Sequence, residues 1–132
     1  MEPMIEAADF PAFWVNKVNS GAVGDVVALY NEKAILIPTF SPYFVKDREG
    51  LRNYFDQLSA REGLQVKLQE NSITALQVGG QSYVIGGIYS FEFNIDGNLT
   101  AFPSRFTFAV DLAADSPILH HHSSQIPGPP PA

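Results

Sequence analysis

At 132 residues, with 45% hydrophobic and 17% charged side chains, the chain is long enough for one packed core and too apolar for a disordered segment. Eight Lys and Arg against fourteen Asp and Glu give a net charge of −6 with no basic cluster, which argues against a nucleic-acid partner. The absence of cysteine removes disulfides and thiolate metal sites, Met1 to Glu6 are acidic where a secretory signal is basic, and no apolar run approaches the ~20 residues of a membrane span, so the expectation is a cytoplasmic protein with no membrane partner.

In chain order, Asp9 is placed to cap a helix whose Phe10, Phe13, Trp14 and Val18 share one face, with Pro11 tolerated in the first turn and Gly21 as the stop. Asp25 opens a short second helix carrying Val26, Val27, Leu29 and Tyr30, followed by a strand over Ala34 to Ile37. After a short extended piece at Tyr43 to Val45, Asp47 caps a third helix in which Leu51, Tyr54, Phe55 and Leu58 recur at i, i+3, i+4 and i+7 before Gly63 ends it. The period then drops to 2. Leu64, Val66 and Leu68 alternate with polar residues, and the pattern resumes out of phase at Ile73, Leu76 and Val78, which predicts a bulge near Asn71 and Ser72. Gly79 to Ser82 turns the chain into a long strand, Asp96-Gly97 signals a two-residue hairpin, the return strand runs from Asn98 to Leu112, and a last one from Ile118 to Gln125. Residues 1–126 read as a single domain, and 127–132 as a Pro-rich solvated tail.

With Asp96-Gly97 as the turn, Ile95 faces Asn98, and the pairs continue as Phe91 with Phe102, Ile85 with Phe108 and Tyr83 with Val110 on an aromatic face. The opposite face pairs Ile88 with Arg105, Gly86 with Thr107 and Val84 with Ala109, small residues around one arginine. Helices followed by a long curved meander are the ingredients of an α+β fold in which a cone-shaped antiparallel sheet wraps three N-terminal helices.

Trp14 to Tyr30 (WVNKVNSGAVGDVVALY), Ala34 to Thr39 (AILIPT), Asp47 to Phe55 (DREGLRNYF), Ser104 to Phe108 (SRFTF) and Ile118 to Pro127 (ILHHHSSQIP) resemble the SnoaL-like, SgcJ/EcaC-type branch of the cystatin-like, nuclear-transport-factor-2-like superfamily. They are also similar to the association domain of calcium/calmodulin-dependent protein kinase II. The resemblance implies cones that dimerise or form rings through the sheet, several of which hold small molecules inside the cone. It makes Arg105, Thr107, His121, Ser123, Trp14, Tyr30 and Tyr54 candidates to line a ligand cavity. Because the aromatic face of the long hairpin adds apolar area that three short helices leave uncovered, and because such cones pair through the sheet, Phe91, Phe102, Phe106, Phe108, His120 and His122 are candidates for an interface with a second copy of the chain.

The residues themselves leave alternatives open. Arg105 needs a carboxylate, carbonyls, water or a ligand: an ion pair with Glu92 or Asp111, a ligand anchor, or simple surface exposure. His120, His121 and His122 alternate in a strand, so at most two share a face, and two imidazoles without a placed carboxylate make no metal site. They read as interface, as satisfied core or as acid–base groups. An even-length loop before the last strand puts His120, His122 and Ser124 on the arginine's face; an odd one puts His121 and Ser123 there. The resemblance favours the odd case. No Gly elbow flanks Ser123 and Ser124, so they form no nucleophile site, and without a Gly-x-Gly-x-x-Gly no flavin or nicotinamide cofactor is expected. The leading expectation is a homo-oligomerising domain with a cavity for a small, partly apolar ligand, and the alternative is a metal-free SnoaL-like cyclase, isomerase or hydrolase.

Overall fold

The computed structural model describes residues 5–128. After a single 3-10 turn at Ala7–Asp9 come helices α1 (Phe10–Asn19) and α2 (Val23–Val27), strand β1 (Tyr30–Ile37), helix α3 (Arg48–Ser59), and strands β2 (Gln65–Gly79), β3 (Ser82–Ile95), β4 (Asn98–Asp111) and β5 (Ile118–Gln125). The strands form one open sheet in the order β1-β5-β4-β3-β2. Neighbours are antiparallel except β1, which runs parallel to β5 with Leu36 opposite His121, so the sheet is mixed where an antiparallel one was expected. That pair joins residues some 85 apart in the chain, and no local pattern announces it.

Local chemistry explains most boundaries. Asp47 accepts the Gly50 N–H at 2.7 Å and starts α3 as expected. Asp9 makes no capping bond, because the 3-10 turn already runs into α1. The second helix ends at Val27, and Tyr30 opens β1 instead, since the Ile118 N–H takes the Leu29 carbonyl and draws the chain into the sheet. At the hairpin Asp96 and Gly97 have φ of 51° and 82°, the two positive values of a type I′ turn. The β3–β4 register is the expected one throughout, from Ile95–Asn98 to Tyr83–Val110. The phase slip in β2 is real: pairing jumps from Gln69–Ile88 to Thr74–Gly86, and Ser72 Oγ accepts the Ile88 N–H at 2.8 Å across the gap. Of the tail, Pro127 and Gly128 are exposed and irregular, and residues 129–132 lie outside the described residues.

The aromatic face of the sheet turns inward. Phe108 meets Phe10 and Trp14 edge-on at 5.4 and 5.7 Å between ring centroids, and Trp14 stacks on Tyr89 at 5.3 Å. Phe91, Phe106 and Phe108 are therefore core residues, buried under the helices, not an interface; Phe102 is half-buried against Phe40 and Phe93. Placing them on the outside assumed that three short helices leave the aromatic face uncovered. The small-residue face is the one left open.

Candidate functional site

The last hairpin decides which residues share a face. Seven residues separate Val110 from its partner Ile118, the odd spacing expected, but the next pair is Ala109 with His120. Leu119 is thus an extra residue, a bulge that moves everything after it by one. His121 and Ser123 consequently lie opposite Phe108 and Phe106 on the buried face, while Arg105 and Thr107 lie opposite Ser124 and His122 on the outer face. The expected grouping of Arg105 with His121 and Ser123 inside the cone does not form.

Inside, four of the expected cavity residues do meet. Tyr30 Oη lies 2.8 Å from His121 Nδ1, Tyr89 Oη lies 3.0 Å from His121 Nε2, and the Trp14 Nε1–H donates to Tyr30 Oη at 3.1 Å. Tyr30 accepts from Trp14, so its own proton goes to Nδ1, and the imidazole proton sits on Nε2 and is donated to Tyr89. The other tautomer would leave the Tyr30 hydroxyl proton buried without an acceptor. Ser123 bonds the Thr39 hydroxyl at the edge of this chain. Burial, with smaller contributions from His120 and His122, holds the His121 pKa down at about 3, so the ring is neutral. Burial also drives the phenols of Tyr30 and Tyr89 well up, opposed at Tyr89 by the neighbouring Ser123 hydroxyl. The interior of the cone is filled: Trp14, Tyr30, Tyr89, Phe108 and His121 are all at most 1% exposed.

The outer face carries two rows across the sheet, Leu76–Val84–Ala109–His120 and Thr74–Gly86–Thr107–His122, followed by Ile88–Arg105–Ser124. Arg105 has no ion pair among the described residues; Glu92, one partner considered for it, binds Lys67 at 3.3 Å. His120 and His122 point outward, as strand alternation requires, with Ile35 and Ile37 of β1 beside them.

Open space lies instead at the rim, in a cleft of about 300 Å³ between the segment 40–45 and α3. Its walls are Phe40, Pro42, Tyr43, Val45, Tyr54 and Leu58, with Ser41, Gly50, Gln57 and Arg61 completing the lining. Phe40 is locked edge-on against Phe91, Phe93 and Phe102, and the Leu36–Val45 bridge holds the far end of the segment. Burial raises the Tyr54 phenol to about 12 against the pull of the Phe40 backbone and of Arg61. Tyr54 is the one expected cavity residue found here. Phe40, Gln57 and Arg61 were missed, although Tyr54, Leu58 and Arg61 follow helical spacing and the segment between Pro38 and Asp47 is conspicuously aromatic.

No family model matches the sequence, and no curated protein does. Solved structures do. A Xanthomonas campestris protein assigned as a calcium/calmodulin-dependent protein kinase II association domain is 27% identical, with 91% of this chain and 85% of that one aligned at a TM-score of 0.79. A cystatin-like-fold protein from Novosphingobium aromaticivorans is 14% identical over 92% of this chain and 80% of that one, at 0.72. The epoxide hydrolase/cyclase-like enzyme SalBIII, of pyran ring formation in salinomycin, is 16% identical over 89% and 88%, also at 0.72. Three helices against a curved, open five-stranded sheet, shared with these structures over nearly the whole chain, give this protein the nuclear-transport-factor-2-like fold.

Proposed function

We propose that this chain is a single cytoplasmic domain, residues 1–126, that associates with a second copy of itself through the outer face of its sheet and holds a small, partly apolar molecule in the rim cleft. The observation that carries the association is that no described helix covers that face, although Leu76 is 66% and Val84 39% exposed on it beside Gly86, Ala109 and Thr107. Apolar and small side chains on a broad sheet suit a self-complementary contact. The likeness to an association-domain structure supports the same reading. Arg105, Thr107, His120 and His122 then belong to one surface, that of the interface.

The enzymatic alternative asks for an acid–base group facing the ligand. His121 is sealed in the core as a neutral ring, and Tyr54 at the cleft is driven away from neutrality, to about 12, so neither favours it. Sedimentation at micromolar concentration tests the association: a species at twice the 14.5 kDa chain mass or more is expected, and a strictly monomeric one would refute it. The same protein titrated with small aromatic fragments should show amide shifts at Phe40 to Val45.

A further inference from the structure

We infer that the rim cleft selects a flat one- or two-ring carboxylate, with Arg61 as the group that receives the anion. The inference rests on the small-molecule reading of the cleft and adds a charge to it. In a chain carrying fourteen acidic and eight basic side chains, the cleft is lined by no carboxylate at all, and Arg61 is its single charged residue. The Arg61 guanidinium carbon lies 4.9 Å from the centre of the Phe93 ring, which steadies the group. Among the described residues no carboxylate comes within ion-pair distance of it. A guanidinium resting on an aromatic face keeps its edge free, and that edge offers paired N–H donors at the spacing of the two oxygens of a carboxylate.

The other walls set the rest of the molecule. Phe40, Pro42, Val45 and Leu58 offer apolar surface, and Tyr43, 76% exposed, stands at the opening, where it can cover a bound ring. The Tyr54 phenol lines the same cleft and stays protonated at all ordinary pH, so it can serve as a second donor to the ligand. A volume of about 300 Å³ lies at the lower limit for ligand pockets, the size of one or two fused rings. The cone interior competes poorly, because its hydroxyls, indole and imidazole already satisfy one another.

The test is an amide-shift titration of the full chain with 2-naphthoate and, separately, with the uncharged isostere 2-naphthamide, at low ionic strength. The expected result is shifts at residues 40–45 and 54–61 with naphthoate about tenfold or more tighter than the amide, the scale of a hydrogen-bonded charge contact. Arg61→Gln, a surface change, should bind both compounds alike, and Arg61→Lys should keep part of the preference. Equal affinities in the wild type would overturn the carboxylate claim while leaving the small-molecule reading standing. A preference that survives in Arg61→Gln would remove Arg61 from the role. Failure of both compounds to move a cleft resonance at millimolar concentration would sink both readings.

Discussion

At the scale of single residues, His121 does most to hold the cone interior together. It stacks on Phe108 at 4.1 Å, and each ring nitrogen has a phenol partner. Truncation leaves the Tyr30 hydroxyl proton without its acceptor and Tyr89 without the imidazole donor, and opens a void, so His121→Ala should lower stability by about 2–5 kcal/mol in urea unfolding at pH 7. Acid adds a signature of its own. The folded pKa of about 3 lies below the ordinary 6.5, so as the pH falls the unfolded chain takes up this proton first. The stability tied to neutral His121 is complete above pH 6.5 and declines by about 1.4 kcal/mol per pH unit from 6.5 toward 3. Measured against His121→Gln, which cannot titrate, the wild-type advantage should shrink steadily from pH 6.5 to pH 4; a constant difference would show that the ring is not buried neutral. Gly87 is a second point of this kind. A Cβ there would sit 2.9 Å from both Ile73 Cδ1 and Phe106 Cζ, where the β2 bulge folds against the sheet. Gly87→Ala should therefore destabilise by about 1–3 kcal/mol, read as a lowered melting temperature.

At the scale of elements, what was legible in the sequence divides along one line. Features written in neighbouring residues came through: the Asp47 cap, the Asp96-Gly97 turn with its whole register, the bulge near Ser72, and the bounds of the last strand. Features that depend on distant partners did not, above all the parallel pairing of β1 with β5 and the choice of which sheet face the helices cover. The candidate site suffered most, because one residue governed it. Leu119 is 41% exposed and carries no turn signal, yet as a bulge it reverses the facing of every residue from His120 to Gln125. That gives a sharp expectation. Deleting Leu119 would join the Ile118–Val110 pair directly to His120–Ala109 with His121 still inside, so the variant should keep its cooperative thermal transition. Leu119→Ala, which keeps the extra residue, should stay within about 1 kcal/mol of wild type. A deletion variant without a cooperative transition would mean that β5 needs the extra residue to hold its register.

At the scale of the molecule two surfaces stand apart: α3 and the 40–45 segment border the cleft, and the outer side of the sheet is covered by no described helix. Thr107 sits centrally on that open side, between Gly86 and His122, and is itself exposed, so a charge there should leave the monomer's fold intact. In a two-fold pairing of identical chains a central residue lies close to its own copy, and a charge placed there meets the same charge across the axis. Thr107→Glu should accordingly sediment as a monomer at concentrations where the wild type associates, with a melting curve that no longer depends on protein concentration. Thr107→Lys should behave in the same way on its own. Mixing the two variants replaces repulsion by attraction, and the mixture should recover the associated species, weakening as salt is raised. Recovery on mixing is something mere misfolding cannot produce. If each variant alone stays as associated as the wild type, the copies do not meet at Thr107, and the contact must lie elsewhere on the chain.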